Sequence, residues 1–296
     1  MNLPTFKQLR YLIALGEHMH FGKAAEACFV SQSAFSVAIR ELESTLGVQL
    51  FDRTNKKVTI TSMGQEIIVQ ARLVVRDLES LVDMAQVSNE PLSGKLKLGV
   101  IPTISPFLLP KILPKLRSDF PHLQLFLQED TTQRVYEKLM NGELDLILIA
   151  FPYELRNVEK MTLFKDPFLL AYKTDSKFIE AQKITADNLQ PESILLLEDG
   201  HCLRDHALSA CKIRNLNKVS HFAASSLLTL IEMVEADLGV TYLPEMAKDS
   251  PMLMNTNIQT QAMPKSDHRE IGLIWRKGTA RSKEFKMLGE FIKKNR

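Results

Sequence analysis

Two cysteines nine residues apart carry the most reactive chemistry in the chain. Cys202 stands in Leu197-Glu198-Asp199-Gly200-His201-Cys202-Leu203-Arg204-Asp205, and Cys211 follows. Gly200 breaks the preceding segment, and Leu203, Ala207, Leu208 and Ala210 suit a helix whose first turn contains the sulfur. Exposed N–H groups and the positive end of such a helix favour the thiolate. His201 and Arg204 add to that effect, and Glu198 and Asp199 oppose it, so the net shift stays open. If residues 202–211 form one helix, they separate the two cysteines by about 13 Å along the axis and half a turn around it, beyond disulfide reach. A bond between them would need the segment to refold and would report oxidation as a change of shape. The competing reading is a pair of buried thiols that only pack.

A reactive thiolate alone is a weak device. Lowering its pKa from about 8.5 to about 6 raises the thiolate fraction at pH 7.4 by at most roughly 14-fold. Further rate must come from donors that hold the oxidant and stabilise the leaving group. Cys202, His206, Cys211 and His221 could be imagined around a metal, but no CxxC or HxxxH pair supports that, and no cofactor or metal is expected. A thiol peroxidase would use the same cysteines. It would leave the rest of the chain unexplained, so no enzyme is expected.

The chain has 296 residues, 45% of them hydrophobic, with a net charge of +2. That is enough for two or three domains with proper cores, and it permits a nucleic-acid partner without demanding one. The N-terminus lacks a charged-then-apolar leader, no run approaches about 18 apolar residues, and three cysteines without a framework fit a reducing compartment. A cytoplasmic protein with no membrane partner is expected.

Thr5 and Gln8 read as a capping box before Phe6, Leu9, Leu12 and Ile13. A short helix follows over residues 22–28, where Cys28 fits core packing. A third helix starts at an N-cap Ser31 and ends at Gly47. Phe35, Ile39, Leu42 and Leu46 form its buried stripe, leaving Gln32, Ser33, Ser36 and Arg40 on a polar face suited to a major groove. Residues 49–53 and 57–61 alternate like two strands around a basic wing with Arg53, Lys56 and Lys57. The other reading is a small helical domain with solvated charges. From Ser62 to Ser88, Ile67, Ala71, Val74, Leu78, Leu81 and Ala85 make a heptad seam for self-pairing, the alternative being a helix docked on its own domain. Residues 91–94 read as a hinge.

Beyond it strands alternate with helices. Residues 95–100, 107–120, 123–127, 132–140 and 144–150 give one β-α-β-α-β run. Residues 168–172, 194–197, the cysteine helix, 218–222, 226–236 and 240–243 give a second, and residues 271–275 and 282–294 return to the first lobe. The expected domains are a winged helix-turn-helix over 1–61, a linker helix over 62–90 and a two-lobed α/β unit over 91–296. Its lobe I covers about 95–165 plus 270–296, and its lobe II about 166–269.

The segments 21–27, 30–33, 42–43, 46–53 and 61–64 resemble the winged helix-turn-helix of LysR-type transcriptional regulators, and the two lobes resemble their regulatory domain, which is similar to periplasmic binding proteins. Residues 198–205, Cys211, Ile101-Pro102-Thr103 and Pro106-Phe107-Leu108-Leu109-Pro110 resemble the hydrogen-peroxide-sensing, OxyR-like branch of that family. This resemblance implies Cys202 as the peroxidatic thiol and Cys211 as its resolving partner. It implies that Thr103, Thr132 and His201 position peroxide, with Asp205 and Arg276 in support. Promoter DNA is expected to be read by Ser31, Gln32, Ser33, Ser36, Arg40, Arg53, Lys56 and Lys57, and Ile67, Val74, Leu78 and Leu81 are expected to dimerise the chain. The expected partners are double-stranded DNA, hydrogen peroxide, a homodimer or homotetramer of the chain, RNA polymerase and a thiol reductant. A LysR-type regulator that answers a small organic effector between the lobes, with inert cysteines, is the alternative.

Overall fold

The computed structural model describes residues 3–53, 57–86, 92–179, 189–210, 213, 215–262 and 268–296. Two compact units emerge, Met1–Asn89 with Met140–Glu143, and Glu90–Leu139 with Leu144–Arg296.

In the first unit, α1 (Phe6–His18), α2 (Phe21–Ala27) and α3 (Gln32–Leu46) precede the antiparallel pair β1 (Phe51–Arg53) and β2 (Val58–Ile60). Thr5 and Gln8 exchange both hydrogen bonds of a capping box, and the Ser31 hydroxyl accepts from Ala34 N at 3.3 Å to start α3. Tyr11, Leu12, Leu15, Phe35, Ile39 and Leu42 form the core of this unit. Gly47 ends α3 at φ +69°, a conformation that favours a residue without Cβ.

The helix α4 (Ser62–Gln86) divides its apolar residues between two fates. Ile68 and Ala71 are buried against the helix-turn-helix core and Ile67 packs beside them, so the seam residue Ile67 serves its own domain. Val74, Leu78 and Leu81 stay exposed at 45%, 42% and 61%. Docking on the domain and presenting an unpaired stripe therefore hold for successive parts of one helix.

The second unit comprises β3 (Gly94–Val100), α5 (Ser105–Asp119), β4 (Leu123–Glu129), α6 (Thr132–Met140), β5 (Leu146–Phe151), β6 (Val158–Lys173), β7 (Ile194–Leu197), α7 (Cys202–Ala210), β8 (Val219–Ala224), α8 (Leu227–Glu235), β9 (Thr241–Pro244), α9 (Pro251–Met254), β10 (Ile258–Ala262), β11 (His268–Arg276) and α10 (Ser282–Asn295). The main sheet runs β10-β6-β11-β5-β3-β4, with β9 also on β6, and β7 pairs with β8 separately. Each lobe has its own apolar core.

One expected strand needs correction. The strand expected at 168–172 is the second half of the sixteen-residue β6. Asp166-Pro167 reads as a break, yet Pro167 sits where β6 changes partner from β11 to β9, and a missing N–H is cheap at such a change. The polar edge strand β10 carries too little apolar alternation to be seen. In the expected hinge Pro91 lies outside the described residues, while Leu92 is buried in the lobe I core and Gly94 opens β3. No described helix is long and apolar enough to cross a membrane.

Gly64 tests the first unit. A Cβ there would lie 2.1 Å from the Leu50 carbonyl oxygen, which already accepts from Thr61 N. Gly64→Ala should cost this unit about 2 kcal/mol through forced separation of α4 from β1. Calorimetry showing an unchanged melting transition would refute that packing.

Candidate functional site

Cys202 opens α7 after the loop 198–201, in which Gly200 adopts φ +98° with open space around it. The helix straddles the lobes. Cys202 belongs to the lobe I core, whereas Leu203 and Ala207 belong to that of lobe II. The thiol is free and 8% exposed.

A recess too narrow for a water-sized sphere is lined by Ile101, Pro102, Thr103, Thr131, Thr132, His201 and Cys202. It brings Thr103, Thr132 and His201 together with Cys202 in one lining. Thr103 follows β3 and Thr132 begins α6, placing both hydroxyls beyond the carboxyl ends of parallel strands, a usual place for ligands in α/β sheets. The Thr132 hydroxyl is buried without a hydrogen-bond partner meeting ordinary geometric limits, and the charge it bears on is the sulfur's.

Burial pushes the Cys202 thiol up from its ordinary range; the Thr132 hydroxyl and the Arg269 guanidinium favour the thiolate but do not overcome it, and Asp205 adds to the rise. The expected help from Arg204 is spent on Asp199, 3.2 Å away. Asp205 itself is exposed in the first turn of α7, outside the lining, and acts at a distance. Tyr153 is pushed up by burial and by the same sulfur.

Arg276 requires the clearest correction. Its Nη1 donates to the Leu139 and Leu144 carbonyls at 2.6 and 3.1 Å, at the far end of β11. The arginine that serves the recess is Arg269, seven residues or about 23 Å back along the strand. It is 1% exposed, donates through Nε to Asp166 at 2.9 Å, and clasps Thr103 through Nη1 to Oγ1 at 3.0 Å and Nη2 to the carbonyl at 2.9 Å. Accepting from Arg269 uses one of the two Oγ1 lone pairs, which leaves Thr103 its own proton and a second lone pair for other partners. The signal was present in the sequence, since Arg269 shares the period-two inward face of Ile271, Leu273 and Trp275.

His206 was also missed as a site residue. It is buried on the second turn of α7, with Nε2 2.8 Å from the Pro152 carbonyl. Among the described residues no group of three or more His, Cys, Asp or Glu could hold a metal. Cys211 and Lys56 lie outside the described residues, as does the side chain of Arg53. On α3, Gln32, Ser33 and Arg40 are exposed and Ser36 half-buried; the Ser31 hydroxyl is engaged by its cap and by Ser33, Arg40 Nε donates to the Ser36 carbonyl at 3.4 Å, and Lys57 is exposed on the wing.

Arg269→Met should strand the Asp166 carboxylate and cost about 3–5 kcal/mol, most of it recovered in Arg269→Met/Asp166→Leu. Thermal unfolding of the three variants checks this, and equal losses in the single and double variants would contradict it.

Residues 6–65 match the model for the bacterial regulatory helix-turn-helix protein, lysR family, and residues 89–296 match the LysR substrate binding domain. The chain is 38% identical over 289 residues to the DNA-binding transcriptional dual regulator OxyR of Escherichia coli K12, covering 98% of this chain and 95% of that one. It is equally identical over 294 residues to the HTH-type transcriptional regulator EstR of Acinetobacter baylyi, covering 99% and 97%. A full-length cysteine-to-aspartate variant of Pseudomonas aeruginosa OxyR superposes with a TM-score of 0.82 at 34% identity, covering 99% and 95%. A Corynebacterium glutamicum OxyR cysteine-to-serine variant described as hydrogen-peroxide-bound gives 0.66 at 30%, covering 99% and 93%. Matched along almost its whole length in sequence and structure, the chain belongs to the LysR family of bacterial transcriptional regulators.

Proposed function

We propose that this regulator senses hydrogen peroxide through Cys202. The observation that carries the reading is the recess itself, where two buried threonine hydroxyls converge on a free cysteine. Support comes from its relatives, one of them described as holding hydrogen peroxide. Cys202 sulfur attacks one peroxide oxygen and the O–O bond breaks. Cys202 becomes a sulfenic acid, and the other oxygen leaves as water after taking the thiol proton. Thr103 and Thr132 donate to the oxygens as charge develops, with His201 at the half-exposed edge. The Cys211 thiol then attacks the sulfenic acid, forming the disulfide and releasing a second water.

The Cα of Ala210 lies about 12 Å along α7 from that of Cys202, and one further residue changes this by at most 3.8 Å. Disulfide formation needs about 4.4–6.8 Å, so α7 must unwind. Repacking of lobe II would respace the helix-turn-helix units of a homodimer paired along Val74, Leu78 and Leu81, and of a homotetramer built from it. On this reading Gln32, Ser33, Ser36, Arg40, Arg53, Lys56 and Lys57 meet promoter DNA, RNA polymerase responds, a thiol reductant resets the switch, and the protein works in the cytoplasm without acting as an enzyme. The domains are then 1–61, 62–90 and 91–296, with lobe II about 166–269.

A second reading has its own observation. A cavity of about 300 Å³ between the lobes is lined by Phe107, Phe164, Lys165, Asp166 and Met246 among others, which suits a small organic effector with inert cysteines. EstR is as similar to this chain as OxyR is.

Peptide mapping after one equivalent of hydrogen peroxide should find a Cys202–Cys211 peptide within seconds in wild type and not in Cys202→Ser, with a changed DNA footprint. A reduced Cys202 and an unaltered footprint would hand the function to the cavity. Thr132→Val removes a buried unpaired hydroxyl at nearly constant volume, so the melting temperature should hold or rise, while the rate constant for peroxide falls at least about tenfold. An unchanged rate would remove Thr132 from the mechanism.

A further inference from the structure

We propose that His206 is a positioning residue, a latch that holds α7 helical across the two lobes and ties release of that helix to proton uptake. This rests on the disulfide reading above. His206 follows Cys202 by four residues and so shares its face of α7. It is 5% exposed, between Leu203 and Ala207 of the lobe II core, yet its Nε2 reaches the carbonyl of Pro152, which follows β5 of lobe I. A carbonyl only accepts, so Nε2 carries the proton and donates. Nδ1 is then an acceptor, and it is buried without a hydrogen-bond partner. Unwinding of α7 through its second turn takes this ring out of its site.

The surroundings fix the ring's protonation. Burial is the largest influence and holds its pKa below the usual value; the Pro152 carbonyl opposes this, the Arg269 guanidinium on β11 reinforces it, and Asp205 on the same helix opposes it. Cys202 on α7 and the Tyr153 phenol after Pro152 are the other titratable neighbours, both shifted toward their neutral forms. Once α7 unwinds, His206 meets water and its pKa returns to about 6.5. The state with the higher pKa takes the proton first as pH falls through that value, and this is the unwound, disulfide-bonded state. Acid therefore favours the disulfide, and above about pH 7.5 the effect vanishes.

The test equilibrates full-length protein with glutathione and glutathione disulfide from pH 5.5 to 7.5, then measures the linked Cys202–Cys211 peptide after acid quenching. Two thiols pass two electrons and two protons to glutathione disulfide, giving two glutathione thiols, so the exchange consumes no net proton in this range. In wild type the equilibrium constant for the disulfide should rise as pH falls below 6.5, by up to about fivefold between pH 6.5 and 5.5. His206→Gln keeps an amide donor but cannot titrate, so it should match wild type at pH 7.5 and stay flat below. His206→Leu should lie about fivefold toward the disulfide at pH 7.5, also flat, reflecting one lost hydrogen bond. A wild-type slope in His206→Gln overturns the latch, as does a His206→Leu value equal to wild type at pH 7.5. If wild type itself yields no linked peptide, the cysteine reading has failed and the latch with it. A linked peptide with unaltered variants defeats the latch alone.

Discussion

The buried Arg269 guanidinium is the constraint on which the second unit depends. Through one planar fork it ties β11 to Asp166 of β6 and to both oxygens of Thr103 beyond β3, and Asp166 in turn accepts from Met246 N in lobe II at 3.1 Å. Removing such a pair from water costs about as much as its attraction returns, so its value here is geometric rather than energetic. A lysine could supply the charge but not three donors at fixed angles. Because Arg269 holds both oxygens of Thr103, the position of that hydroxyl is set before any ligand arrives.

The second constraint is α7, which neither lobe owns. Its first residue lies in one core and its next turn in the other. A helix anchored at both ends of its face resists partial movement, and that is what a two-state element requires. The turn that launches it depends on Gly200, whose φ of +98° would strain any side chain even with free space around it.

Much of this was legible in the sequence where local physics decides. The capping box, the Ser31 N-cap, the α3 stripe and the cysteine at the start of α7 all follow from spacing within a few residues. Pairings across about a hundred residues were not. Arg276 and Arg269 lie on one strand, and only the register with β6 shows that Arg269 reaches Asp166, while Arg276 meets the carbonyls of Leu139, at the end of α6, and of Leu144. Asp166-Pro167 misled because a turn signal stood at a partner change inside a continuous strand. The direction of the Cys202 shift was also hidden, since helix position is read locally but burial is set by the whole fold.

That direction changes how the site would work. A thiol held as a standing thiolate would be open to many electrophiles, whereas one kept protonated by burial is quiet until something small enters. The lining leaves no room for a water-sized sphere, and its largest half-buried side chain is His201. On the peroxide reading proposed above, Thr103, Thr132 and the Arg269 guanidinium would stabilise the thiolate and the departing oxygen only once the oxidant is bound. Selectivity in such a site comes from access and preorganised hydroxyls, with the thiol pKa acting as a safeguard rather than as the source of rate.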